Sequence, residues 1–437
     1  CLMTQLHKTE YPAIGETLYT GQLPNGLSLF IVPKKDFRST FALFGTRYGG
    51  AMRRFETDGE VRETPEGIAH YLEHKMFDMP EGENALTVLS ENGADPNAFT
   101  GTDMTCYYFQ CTSAFEENLR MLLKFVSTPY FTPETVQKEQ GIIAQEILMG
   151  DDSPVRKLYQ NLLTALYSRP EITGKIAGTV ESIQLITDEL LYDCYRVFYA
   201  PSNMALCVAG NADPEAVCRI AEEILPAERK SVPHALFGEH EGFLPLQTRV
   251  EEEMPISMPQ FLIGAKDYDL PLGENGDARA RISRRLCSTL ALRLLCGSSS
   301  PFFMKLYESG MLTHSFDYDI DYSADTVTIL IGGESGDPDA VLSALKDEAA
   351  SVAAQGFDRR RFDIAKKALI GNQLRTLEDF ESICNNLFGD WVDGYCFFDV
   401  SSVVAELQCE DCEAWVREAL APERLAISIL RPCAGNS

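Results

Sequence analysis

The feature that most constrains this chain is that it repeats itself. The run FTPETVQKEQGIIAQEIL beginning at Phe131 lies without gaps on FDRRRFDIAKKALIGNQL beginning at Phe357, and both space their apolar residues along one face of a helix. Near the ends of the two halves, APSNMALCVAG from Ala200 matches APERLAISILR from Ala421, each a passage from helix into strand. The offsets, 226 and 221 residues, are nearly equal. A repeat of that length is a whole lobe, so two homologous lobes are expected, residues 1–226 and 248–437, joined by a linker at 227–247. The linker stretch carries Pro, Gly and charge but little periodicity.

Each lobe mixes element types. GQLPNGLSLFIVPKK places Asn25 and Gly26 as a hairpin turn between apolar runs, and STFALFGTRYGG and TCYYFQCT read as further strands around a helix. Strands and helices cluster rather than alternate strictly, which predicts an α+β class: in each lobe a largely antiparallel sheet packed with helices. A hydrophobic content of 45% with mean hydropathy of −0.12 belongs to a globular chain, and nowhere do about eighteen apolar residues run together.

A net charge of −27 excludes nucleic acid as a natural partner, because phosphate contacts need clustered Lys and Arg. The acid excess reads either as a solvated surface or as an acidic chamber that concentrates basic peptides. Thirteen cysteines without regular spacing argue against a disulfide framework and for buried thiols. Cys409 and Cys412 sit at metal-like spacing, but no second pair follows; Cys409 reads as a helix cap and Cys412 as an apolar-face residue. The first residues lack the basic and apolar regions of a secretory signal, which predicts a cytoplasmic protein with no membrane partner; lipid anchoring through Cys1 is the alternative.

The chemistry is concentrated in TPEGIAHYLEHKMF, where Thr64 is expected to cap a helix with Pro65 and Glu66 in its first turn. His70 and His74 are four apart, which puts both imidazoles on one helix face, within reach of a single tetrahedral ion. Glu73 falls beside that face, where a carboxylate can take a proton from water acidified by zinc. The order is H-x-x-E-H, the reverse of H-E-x-x-H. Six histidines in the whole chain make this arrangement an improbable accident, although two buried imidazoles satisfied by hydrogen bonds would leave the same trace. A third ligand is best sought on QKEQGIIAQEILMGDD, where Glu139 and Glu146 are two turns apart, so that one can ligate and the other support. In the gap-free match Glu146 falls opposite Asn372 and Glu139 opposite Ala365, so only one lobe has the donors.

These residues resemble the pitrilysin and insulinase family of inverzincin metallopeptidases, and the resemblance spans essentially the whole chain. HYLEHKMF, NAFTGTDMTCYYF, KEQGIIAQE with its downstream DD, GTVESIQLIT and YAPSNMALCVAG carry it. Size and phrasing resemble the half-size bacterial members encoded beside a zinc-less paralogue. The resemblance implies that His70, His74 and Glu146 bind one Zn²⁺ per chain, that Glu73 is the general base and that Glu139 is the supporting acid. It also implies that Asn97, Ala98 and Phe99 form a sheet edge to which a peptide substrate adds as a strand. Read from the residues alone, Asn97 suits a turn equally well and Phe99 a core.

One departure from the family pattern matters. Active members carry an Arg and a Tyr seven residues apart in the second lobe, and the matching stretch LYESGMLTHSF has Tyr307 and His314 there. The resemblance therefore implies a heterodimer in which a zinc-less paralogue lends the pair, with a homodimer or His314 as its own donor as alternatives. The expected function is an endopeptidase acting on short or unfolded peptides in a closed chamber. A non-catalytic assembly subunit of the same fold is the competing class, and a metal-storing protein the third.

Overall fold

The computed structural model describes residues 4–268, 270 and 277–433; Cys1, the candidate anchor, lies outside them. The first sheet is built from β1 (His7–Tyr11), β2 (Glu16–Gln22), β3 (Ser28–Pro33), β4 (Thr40–Thr46), β5 (Ala94–Thr100), β6 (Thr105–Cys111) and β7 (Met204–Gly210). Their order is β1-β2-β3-β7-β4-β6-β5, and every pair is antiparallel except β3 with β7. The hairpin expected at Asn25 joins β2 to β3, with the Asn25 side chain accepting the Leu27 amide at 3.1 Å. TFALFGT and MALCVAG are buried at every position, as continuous apolar runs must be when both faces of a central strand are covered.

The second sheet comprises β8 (Arg249–Met254), β9 (Gln260–Asp267), β10 (Asp317–Ser323), β11 (Thr326–Glu334) and β12 (Ala426–Pro432). Its order, β8-β12-β9-β11-β10, with β8 and β12 the parallel pair, reproduces the first sheet from β3 to β5. The two aligned helical runs form α2 (Pro133–Asp151) and α4 (Arg359–Thr376), and the two aligned strand runs form β7 and β12. The class is α+β with two homologous lobes, as the repeat requires.

The compact units do not follow the boundaries 1–226 and 248–437. One comprises Cys1–Ile147, Gly174–Phe237 and Leu374–Phe398; the other comprises Leu148–Thr173, Gly238–Gln373 and Asp399–Ser437. Each sheet is covered by the helix that follows the other half's aligned run. Helix α3 (Pro154–Leu166) belongs with the second sheet and α5 (Phe380–Asp393) with the first. The reason is visible at two glycines. A Cβ on Gly45 of β4 would stand 2.7 Å from the Phe388 ring of α5, and one on Gly264 of β9 would stand 2.6 Å from Leu162 of α3. Gly45 pairs with Ala205 and Gly264 with Ala426, the same places in the repeat, so each sheet has a notch there and a large side chain fills it.

The described cysteines are all free thiols and mostly buried. Cys409 opens a helix whose cap is Gln408, and Cys412 lies fully buried on its inner face. Among the described residues no helix is long and apolar enough to cross a membrane.

Candidate metal centre

The helix α1 (Ile68–Met76) carries the H-x-x-E-H residues; it buries Ile68, Ala69, Tyr71, Leu72, Glu73, Lys75 and Met76, while His70 and His74 are half-buried. It starts later than the sequence leads one to expect. Thr64 is no cap: its amide and hydroxyl both donate to Arg53 O, at 2.8 and 3.2 Å. The cap position is Gly67, at φ 92° and without a side-chain bond to the helix. A Cβ there would lie 2.6 Å from Ala177 O, so the left-handed backbone and the close approach both call for glycine. Glu66, displaced from the first turn, accepts the Lys175 amide at 2.5 Å and faces Arg53 at 3.6 Å. One turn into the helix the buried Tyr71 hydroxyl donates to Val136 O on α2, fixing the two donor-bearing helices to each other.

His70 Nε2 lies 3.5 Å from Glu146 Oε1 and His74 Nε2 lies 3.4 Å from Glu146 Oε2. The imidazole centroids are 4.6 Å apart, and one donor atom from each of the three residues falls within 4.8 Å of the others. Ligand atoms about 2.0–2.1 Å from one tetrahedral ion stand roughly 3.3 Å apart, so the set fits such an ion. His74 Nδ1 donates to Glu139 Oε1 at 3.0 Å, which leaves the Nε2 lone pair facing Glu146. Burial of the His74 ring works against its charge, but the hydrogen bond to Glu139 and the charges of Glu139, Glu73 and Glu146 prevail and raise its pKa. In turn His74 holds the Glu139 carboxyl below the ordinary range, against its burial and with help from Lys75 and Lys138.

Glu73 is 8% exposed and is no member of the donor set. Burial pushes its carboxyl up, more than the Thr100 hydroxyl and the two imidazoles pull it down. The Thr100 hydroxyl donates to Glu73 Oε2 at 2.5 Å. Sequence reasoning missed Thr100. The signal was the run NAFT itself, since once Asn97 to Phe99 are read as strand, Thr100 is its continuation. The three residues lie on β5, which among the described residues pairs only with β6. Asn97 is exposed and Phe99 half-buried, 6.3 Å from the Tyr108 ring, so Asn97 sits in no turn and Phe99 in no closed core.

In the second unit, Tyr307 lies in the last turn of a helix at Pro301–Glu308 and His314 follows the helix in the chain. The Tyr307 hydroxyl and His314 Nε2 are 2.6 Å apart, so the two side chains engage each other.

Comparison with known proteins decides what this centre belongs to. Residues 57–180 match the family described as insulinase (peptidase family M16), and residues 186–369 match the peptidase M16 inactive domain. A Bacillus subtilis protein named as uncharacterized zinc protease YmfH is 35% identical over 433 residues, covering 97% of this chain and 98% of that one. The chain belongs to peptidase family M16. Mycobacterium leprae has a further relative named as a zinc protease, 26% identical over 341 residues, covering 74% of this chain and 73% of its own. Among solved structures, a putative M16-like peptidase from Alicyclobacillus acidocaldarius superimposes with a TM-score of 0.90 at 33% identity, over 97% of this chain and 99% of that one. A Pseudomonas fluorescens M16 inactive domain superimposes at 0.79 with 17% identity over 96% and 99% of the two chains, a likeness of fold alone. The M16 zinc-protease names agree with the donor set found here. The inactive-domain match spans the part of the chain that has no H-x-x-E-H.

Proposed function

We propose that this M16 protein is a zinc-dependent endopeptidase that hydrolyses short or unfolded peptides, with His70, His74 and Glu146 as the metal ligands and Glu73 as the general base. The observation that carries the reading is the convergence of His70, His74 and Glu146 donor atoms beside a buried carboxylate that is not one of them. Zinc, when bound there, supplies Lewis acidity, which polarises a carbonyl and makes water more acidic. Thr100 donates to Glu73 Oε2 and so orients the carboxylate, which takes the proton from attacking water and returns it to the leaving amine. A carboxyl raised by burial is suited to both halves of that exchange. Glu139 holds His74 in the tautomer that leaves Nε2 to the metal. Peptide adds to the open side of β5 at Asn97, Ala98 and Phe99, where main-chain pairing supplies affinity with little sequence preference.

The chain lacks the Arg and Tyr that family resemblance calls for, and Tyr307 and His314 at those places bind each other. A zinc-less paralogue that lends the pair and closes a chamber over the site completes this reading. The competing one is a non-catalytic subunit of the same fold, and the inactive-domain description of residues 186–369 favours keeping it in view. Metal analysis with cleavage of a quenched fluorescent peptide separates them. About one zinc per chain with cleavage that disappears in Glu73→Gln establishes the peptidase. Zinc without Glu73-dependent cleavage, with or without the paralogue, leaves a binding subunit.

A further inference from the structure

Lys266, the last residue but one of β9, is a charged side chain inside the second unit, only 3% exposed. Alternate residues of a strand share a face, so it stands beside Gly264 on the side that α3 covers. The repeat gives it a counterpart in the first unit, because Arg47 lies two residues beyond Gly45, the equivalent of Gly264. Arg47 is committed to α5: its guanidinium stacks 3.8 Å over the Trp391 ring and donates to Trp391 O at 2.6 Å. Lys266 has no such bond. Its ammonium lies 5.4 Å from the centroid of the Tyr167 ring and 3.7 Å from Glu241 Oε2, an ion pair too long for a hydrogen bond, and among the described residues the ammonium has no acceptor. Glu241 Oε2 is buried and likewise without a hydrogen bond, whereas Oε1 accepts the Ser168 amide at 2.8 Å. The amine and the carboxylate oxygen, each short of a partner, face an open cavity of about 250 Å³ to which Tyr167 and Phe243 add aromatic walls. The other charged groups of the wall are engaged. Arg169 holds Glu171 at 3.0 Å and Asp325 at 2.6 Å, and Asp267 accepts from Trp415 Nε1 at 2.8 Å and from Arg284 at 2.7 Å.

We propose that this cavity is a carbonyl-binding site, in which Lys266 takes a small aldehyde as an imine and Glu241 moves the protons. Burial is what makes a lysine nucleophilic, because loss of solvent disfavours the ammonium. Here burial lowers the Lys266 pKa more than Glu241 raises it. The amine nitrogen bonds the carbonyl carbon, and its two protons pass in turn by way of Glu241 Oε2 to the carbonyl oxygen. The oxygen leaves as water and a C=N bond remains. Amine and aldehyde give imine and water, with no oxidant or reductant required. Glu241 is placed for that work: Ser168 holds Oε1, and Oε2 is left towards the nitrogen. Tyr167 does not serve as the proton carrier, since its hydroxyl lies 2.9 Å from Thr328 Oγ1 and burial pushes its pKa up. Its ring and that of Phe243 cover the apolar part of the aldehyde instead. The site shares no residue with the metal-donor set, goes beyond peptide hydrolysis and stands whether or not the metal centre cleaves anything.

The test treats the full chain with acetaldehyde and sodium cyanoborohydride, which reduces an imine to a stable ethylamine, and follows each lysine by peptide mass spectrometry. Lys266 is expected to be ethylated about tenfold faster than Lys367, an exposed lysine of the same unit whose amine stays solvated and protonated. In guanidinium chloride the preference should vanish, because it belongs to the folded cavity. Glu241→Gln keeps an oxygen for the Ser168 amide and should slow Lys266 about 10²-fold, the usual loss on removing a proton carrier, with Lys367 unaffected. Should that variant fail to fold, the comparison of the two lysines in the unaltered chain decides. Labelling of Lys266 no faster than that of Lys367, a preference that survives unfolding, or an unchanged rate in Glu241→Gln overturns the proposal.

Discussion

His74 shows how few atoms the centre depends on. Its Nδ1 is committed to Glu139, so Glu139→Gln removes the charge that fixes ring and tautomer. Zinc affinity is expected to fall about 10- to 100-fold with the fold intact, read by competition with a chromophoric chelator. Glu73→Gln should do the opposite: zinc content unchanged and peptide cleavage reduced roughly 10²- to 10⁴-fold, as for loss of a general base. A Glu73 variant that loses its zinc instead would make that residue a ligand. The H-x-x-E-H spacing and the two candidate acids were legible because helical periodicity converts sequence distance into direction. The division of labour between Glu139 and Glu146 was not. It depends on how α2 meets α1, where the Tyr71 hydroxyl donates to Val136 O, a contact that no spacing encodes. Thr64 was misplaced for a related reason: a good capping side chain was outbid by the close approach of Ala177 to Gly67, a contact between segments far apart in the chain.

Among the elements, α3 and α5 teach most. The repeat made α2, α4, β7 and β12 readable in advance, because periodic apolar residues name an element and a copy confirms it. It could not say which sheet α3 and α5 cover, since an apolar helix face fits either sheet and the choice rests on Gly45 and Gly264 receiving Phe388 and Leu162. Leu162→Ala is therefore expected to destabilise the second unit by about 2–5 kcal/mol, the ordinary range for a leucine removed from a closed core. Denaturant unfolding followed by the signal of Trp415, which belongs to that unit, should show the shift. The edge of the first sheet permits a test of similar kind. Ala98 offers the amide that Asn97 accepts, and Ala98→Pro deletes it on an edge strand that accommodates proline. Peptide KM is expected to rise with zinc content unchanged, and an unaltered KM would remove β5 from substrate binding.

At the scale of the molecule the argument turns on completeness. One chain holds three groups that could bind a metal, a buried carboxylate beside them and, among the described residues, an open strand edge, and where the family resemblance calls for an Arg and a Tyr it has Tyr307 and His314, 2.6 Å apart. Donors of the oxyanion kind are worth roughly 10²- to 10³-fold in rate, so an isolated chain should cleave slowly while binding zinc and peptide normally. If a paralogue supplies them, its addition should raise kcat by about that factor, saturating at one partner per chain. The gain should vanish when the partner's arginine is replaced, whereas His314→Ala in this chain should leave it intact. If His314 is itself the donor, His314→Ala lowers the rate of the isolated chain by a comparable factor and a partner adds little. Tyr307→Phe separates the two cases further, because it breaks the bond to His314 without removing the imidazole. Under the partner reading it is silent. Under the single-chain reading it frees the ring, and the rate changes while zinc content does not.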